Sequence, residues 1–182
     1  EQELGRPYLT IGHSTRSVAE LAQLVLDAHG DIVVDVRTIP RSRTNPQFNA
    51  DTLPESLRRF GIGYRHIARL GGLRGHRKGS GPSPNGFWEN ASFRNYADYA
   101  ATSPFRAGLE ELRSLAEQQR PAIMCAEAVW WRCHRRIITD YLLIGGDEVY
   151  HIMGHGRIEP ARLTPGAVPQ PDGTVIYPAS VC

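Results

Sequence analysis

Hydrophobic and polar positions follow two different rhythms along the chain, and the changes from one to the other mark its elements. The run Tyr8-Leu9-Thr10-Ile11 is short, β-prone and stopped by Gly12. From Ser17 the period becomes helical, with Val18, Leu21, Leu24, Val25 and Ala28 on one face. Ser17 and Glu20 have the spacing of a capping box, and Gly30 ends the helix. Residues 31–36 carry Ile32-Val33-Val34, which predicts a strand buried on both faces. Thr52, Pro54 and Glu55 signal a second helix, with Leu53, Leu57 and Phe60 inward and Gly61 as its stop, and a short strand is expected over 64–67.

Residues 71–90 break the rhythm: they are rich in glycine, show no period and hold the basic trio Arg74, Arg77 and Lys78. Loops of this length tend to be functional or disordered. Helical text resumes at Ser92 with Phe93, Tyr96, Ala97 and Ala100, then restarts at Ser103 with Pro104 at the first helical position and Phe105, Leu109, Leu112 and Leu115 behind it. A buried strand over 122–126, a helix over 133–143 with Ile137, Ile138, Tyr141 and Leu142 inward, and a strand over 148–153 come next. The tail after His155 reads as irregular, with Pro171-Asp172-Gly173 as a turn before 174–177. The alternation predicts an α/β fold: a single three-layer, Rossmann-like domain over 1–182 with a mostly parallel sheet, plus a C-terminal hairpin or edge strand.

Composition adds limits. With 182 residues, 41% of them hydrophobic, the chain can bury a sizeable core. It holds no apolar run near the roughly 18 residues of a membrane span, and Glu1-Gln2-Glu3-Leu4-Gly5 has no leader-like pattern. A cytoplasmic protein without a membrane partner is expected. Cys125, Cys133 and Cys182 are too few and too uneven for a disulfide framework, so reduced thiols are expected. A net charge of +2 places any electrostatic argument on local clusters. Lys78 is the only lysine among 21 basic residues, a bias that codon usage in a GC-rich genome can produce. Arginine forks also suit phosphate and carboxylate.

Ligands of parallel sheets gather beyond the carboxyl ends of the strands. That rule selects His13 and Ser14, then Asp35 and Arg37 with Arg41-Ser42-Arg43, then Glu127, and His151 in the last strand. Asp35 and Arg37 share a face by alternation and can pair. Arg41, Ser42 and Arg43 can grip an anion or stand as a solvated loop. In the segment from Cys125 to Arg136, Trp130 and Trp131 are costly to expose and either pack on the core or stack on a ligand. Glu127 can serve as acid or base or pair with Arg37 or Arg135. Cys133 and His134 are expected to open a helix, where a thiolate is favoured, although adjacency alone places no base. Zinc ligation by Cys125, Cys133 and His134 lacks paired spacing, so neither a metal nor a cofactor is expected.

The ordered motifs Thr10-Ile11-Gly12-His13-Ser14, Asp35-Val36-Arg37 with Pro40-Arg41-Ser42-Arg43, Gly61-Ile62-Gly63-Tyr64-Arg65-His66, Leu70-Gly71-Gly72, Cys125-Ala126-Glu127 to Cys133-His134-Arg135, and Val149-Tyr150-His151-Ile152 resemble the bacterial family called domain of unknown function 488. The resemblance runs from about residue 9 to about 153 and implies an α/β protein whose motifs gather at one site, adding Tyr64 and His66 to it; it brings no established reaction. Val129-Trp130-Trp131 stands where the family pattern has an acidic or proline-containing stretch. Three functions fit these residues. The first is an enzyme on a nucleotide or nucleic acid, such as an N-glycosidic hydrolase in DNA repair. Arg37, Arg41, Arg43 and Arg135 would hold phosphate, Trp130 or Trp131 would stack a base, and Glu127, Asp35, His13 or His134 would move protons. The second is a rhodanese-like sulfur-transfer or phosphatase-like enzyme using Cys133. The third is a non-catalytic nucleic-acid or anion-binding module.

Overall fold

Short β-branched runs and amphipathic stretches alternate from the first strand onward, and the folded chain obeys them. The computed structural model describes residues 7–76 and 81–180, so Arg77, Lys78 and Cys182 lie outside the described residues. In chain order the elements are β1 (Tyr8–Gly12), α1 (Val18–Asp27), β2 (Ile32–Asp35), α2 (Leu53–Arg58), β3 (Gly63–His66), α3 (Ala91–Ala100), α4 (Ser103–Ala116), β4 (Pro121–Cys125), α5 (Arg135–Ile144), β5 (Val149–Gly154), β6 (Arg157–Pro160), β7 (Val168–Pro169) and β8 (Val175–Ile176). The main sheet has the order β3-β2-β4-β1-β5-β6; β1 to β5 run parallel and β6 is antiparallel to β5. The expected C-terminal hairpin is present as β7 paired with β8.

Side-chain alternation along the central strands divides the core. Leu9, Ile11, Val33, Ala122 and Met124 pack with Leu21, Val25, Leu53 and Leu57 of α1 and α2. Val34, Ile123 and Cys125 meet Tyr96, Phe105, Leu112 and Ile137 of α3, α4 and α5 on the other face. The capping box of α1 is closed, with Ser17 accepting from the Glu20 N–H and the Glu20 carboxylate from the Ser17 N–H. Three sequence expectations change. Thr52 is already helical and makes no side-chain cap, and α2 ends before Phe60, which stays 39% exposed. The α5 helix starts at Arg135 with His134 as its cap, because residues 130–132 form a separate 3-10 turn. The strand β6 arises inside the tail read as irregular: Gly156, at φ +66°, turns the chain back on β5.

The chain leaves β1 for one face of the sheet and leaves the adjacent β4 for the other, so a crevice opens between their carboxyl ends. Backbone packing closes its floor: His13 N–H donates to Cys125 O and Ser14 N–H to Ala126 O. A Cβ on Gly12 would stand 1.8 Å from the Glu127 carbonyl oxygen, so only glycine permits this approach. Beside it, Arg37 forms a two-pronged pair with fully buried Asp35, Nε to Oδ1 at 2.9 Å and Nη2 to Oδ2 at 2.6 Å. Tyr64 OH donates to Oδ2 at 2.6 Å, and Arg37 Nη2 also donates to Phe48 O.

Gly12→Ala is expected to destabilise the fold by at least about 1–3 kcal/mol, the ordinary cost of overpacking, because the obstacle is backbone; thermal unfolding that matches wild type would contradict the close approach. Asp35→Asn is expected to cost about 3 kcal/mol in urea unfolding, since it strands a buried guanidinium. Tyr64→Phe, which removes one hydrogen bond, is expected to cost about 1 kcal/mol. Equal, small losses in both variants would remove the pair as a support.

Candidate functional site

The crevice widens into a cavity of about 420 Å³, within the range of small-molecule sites. His13, Arg37, Glu127, Cys125, Cys133 and His134 form its polar floor. Phe93 and Tyr96 of α3 make one wall, and Ile39, Leu73, Arg41 and Arg132 stand at the rim. Ile39 and Leu73 are 64% and 72% exposed, so the rim is apolar as well as basic.

Cys133 lies between the 3-10 turn and α5 and is buried. Its Sγ is 3.5 Å from His134 Nδ1 and accepts from the Arg135 N–H at 3.4 Å. The other ring nitrogen, Nε2, is 2.7 Å from Val36 O. A carbonyl only accepts, so in neutral His134 the proton resides on Nε2 and Nδ1 is left as a base facing the thiol. Burial opposes ionisation of Cys133. The Cys125 thiol, His134 and Arg135 outweigh it and hold Cys133 well below the usual thiol range. Burial pushes Cys125 up, and its Sγ lies 3.7 Å from Glu127 O. Gly72 lets the loop after β3 close over His134, since a Cβ there would fall 2.5 Å from Nδ1. Tyr96 packs its ring 5.0 Å from the imidazole.

His13 Nδ1–H donates to Ser14 O at 2.8 Å, and Nε2 faces Arg37 Nη1 at 3.4 Å. Burial, seconded by the Arg37 charge against the opposing Ser14 carbonyl, lowers its pKa and keeps the ring neutral. Arg37 shows the cavity only what Asp35 and Phe48 leave unused, which is Nη1. Ser42 takes part in a local turn, its N–H donating to Asn49 Oδ1 and its hydroxyl accepting from the Asn45 N–H. Glu127 is the one carboxylate among the lining residues, and among the described residues its Oε1 accepts a single 3.4 Å bond, from Val129 N–H. Among the described residues, no group of three or more His, Cys, Asp or Glu is arranged to hold a metal ion.

The strand-end residues therefore separate. His13, Arg37, Arg41, Ser42, Glu127, Cys133 and His134 come together on the cavity. Asp35 and Tyr64 stand behind it in support of Arg37, and His66 donates from Nε2 to Arg37 O at 2.7 Å. Ser14 contributes its carbonyl to His13, and Arg43 is exposed away from the lining. Trp130 stacks on His151 at 4.6 Å, within 5° of parallel, while His151 Nδ1 bonds Thr10 Oγ1 at 2.6 Å. Trp131 meets Trp130 edge-on and is 44% exposed. Arg135 is buried and donates to Glu127 O, bracing the β4 loop. Burial and the Arg135 charge, against the influence of Cys133, lower the pKa of His151 to about 3. Sequence reasoning weighed Cys125 only as a zinc ligand and passed over Phe93, Tyr96 and Leu73. Phe93 and Tyr96 sit on an apolar helix face whose period does not separate a core wall from a cavity wall, and Leu73 lies in text without a period.

No helix among the described residues is long and apolar enough to cross a membrane. No curated protein and no solved structure matches the chain. A family match covers residues 17–142, narrower than the motifs suggest but including Asp35, Arg37, Glu127, Cys133 and His134. That span is more than half of the 182 residues, and the site it carries is the one the motifs point to, so the chain belongs to the family described as Domain of unknown function DUF488.

Proposed function

We propose that the chain is an enzyme that uses Cys133 as a nucleophile on a small anionic substrate, in the manner of sulfur-transfer enzymes or phosphatases. The observation that carries this reading is Cys133 Sγ at 3.5 Å from a His134 nitrogen whose partner nitrogen is fixed on Val36 O. Nucleophile, base and orienting group form a chain of three, the arrangement that covalent catalysis requires. His134 Nδ1 takes the thiol proton, and the imidazolium is stabilised at Nε2 by Val36 O. The thiolate attacks the phosphorus or sulfane sulfur of the substrate as the bond to the leaving group breaks. Arg37 Nη1, Arg41 and Arg132 supply positive charge for the anion. Glu127 is the acceptor for a proton from the water or thiol that completes turnover.

A second reading rests on Glu127 itself. A lone carboxylate with one long hydrogen bond beside three arginines suits an enzyme on a nucleotide or nucleic acid, including N-glycosidic hydrolysis in DNA repair. Phe93 and Tyr96 on the wall, rather than the tryptophans, would then face the base.

At pH 7 an ordinary thiol with a pKa of about 8.5 is only a few per cent ionised. Because the Cys133 pKa is lowered, its iodoacetamide alkylation should persist as pH falls below that value, at a rate about tenfold above free cysteine at pH 7. His134→Asn should move the profile upward in pH. Intact mass after incubation with thiosulfate or p-nitrophenyl phosphate should show one sulfur or phosphoryl adduct, lost in Cys133→Ser. Equal alkylation of wild type and Cys133→Ser would overturn the reading. Cleavage of oligonucleotides with damaged bases that survives Cys133→Ser and is lost in Glu127→Gln would establish the second in its place.

A further inference from the structure

A nucleophilic cysteine needs one thiol, and the cavity floor holds two. Cys125 closes β4 and Cys133 precedes α5, eight positions later, and both side chains line the same cavity. Both are free thiols, and each acts on the ionisation of the other across the shared floor. The Cys125 thiol is neither the nucleophile nor the base of the transfer proposed above. The backbone holds the two in place: Cys125 O accepts from His13 N–H, Cys133 N–H donates to Trp130 O, and Arg135 Nη2 fastens the intervening loop at Glu127 O, 2.8 Å away.

We infer that Cys125 and Cys133 form a reversible disulfide site for which a small peroxide is the oxidant, with Cys133 as the attacking sulfur and Cys125 as the resolving one. The inference rests on the reading of Cys133 as the reactive thiolate. The Cys133 thiolate attacks one peroxide oxygen; the S–O bond forms, the O–O bond breaks, and hydroxide leaves to be protonated to water. Cys125 Sγ then attacks the sulfenic sulfur. The S–S bond forms, the S–O bond breaks, and the hydroxyl departs as water with the Cys125 proton. Two thiols lose two electrons in all, and one hydrogen peroxide becomes two waters. The disulfide removes the thiolate from the floor, and a dithiol reductant restores it. Without Cys125 the sulfenic acid has no resolving thiol among the described residues, and a second peroxide oxidises it irreversibly to sulfinic acid.

The test uses Cys182→Ser protein, which leaves these two cysteines, treated with a modest excess of hydrogen peroxide and read by intact mass and peptide mapping. The expected product has lost two hydrogens, maps to a Cys125–Cys133 link and regains full iodoacetamide labelling after dithiothreitol. Adding Cys125→Ser should replace it with a product that has gained oxygen on Cys133, and recovery of labelling should be lost. Gain of oxygen without a link in the protein that retains both thiols would overturn the inference, and would leave the nucleophile reading standing if Cys133 still alkylates as a thiolate. Slow alkylation of Cys133 together with an absent link would remove both. A link formed without any sulfur or phosphoryl adduct would uphold the disulfide site and reject the transfer chemistry.

Discussion

Asp35 is wholly enclosed, and a carboxylate in that position is costly unless its oxygens are answered by charge and hydrogen bonds. Four groups answer it: the Nε and Nη2 of Arg37, the backbone N–H of Arg37, and the Tyr64 hydroxyl. Satisfying Asp35 thereby decides where Arg37 goes, and Arg37 in turn fixes its own neighbours. Its carbonyl receives His66, its Nη2 holds Phe48 O, and its remaining Nη1 meets His13. One acidic residue at the end of β2 thus couples β1, β3 and the 38–49 loop. The pair need not add net stability to do this, since desolvation offsets much of the attraction. Its contribution is a single arrangement.

Burial also sets the protonation around the crevice. His13 and His151 are kept neutral by burial and by neighbouring arginines, so neither is an acid at neutral pH. The lone pair opposite Cys133 has another origin, the Val36 carbonyl that fixes the His134 proton on the far nitrogen. His13, just past β1, and His134, the cap of α5, therefore do different work: one packs on Phe48 and abuts Arg37, and the other faces a sulfur.

Much of this was legible in the sequence because the period of the strands and the strand-end rule depend on local text. The Ser17–Glu20 box, the Ile32–Val34 run and the gathering of His13, Arg37 and Glu127 all derive from neighbours in sequence. The features that stayed hidden depend on pairs far apart. Val36 O and His134 are 98 positions distant, and no local pattern announces that the carbonyl of one will orient the ring of the other. The tryptophans were expected to choose between core and ligand; Trp130 chose His151, itself held by Thr10 at the opposite end of the chain. Strand β6 escaped notice because it is four residues long with Ile158 as its one aliphatic side chain, and all four of its residues are exposed.

The sheet order separates two units that are easily taken for one. The stretch held in common with the family begins at residue 17 and ends at 142, yet β1 lies before it and β5 after it. β1 is interior, paired on one side with β4 and on the other with β5. A polypeptide trimmed to the shared stretch would present the whole hydrogen-bonding edge of β4 to solvent and would leave Leu9 and Ile11 out of their core. It would keep Cys133 and His134 and discard His13. The portion that inheritance has kept recognisable is therefore smaller than the portion that must be present for the protein to assume its shape.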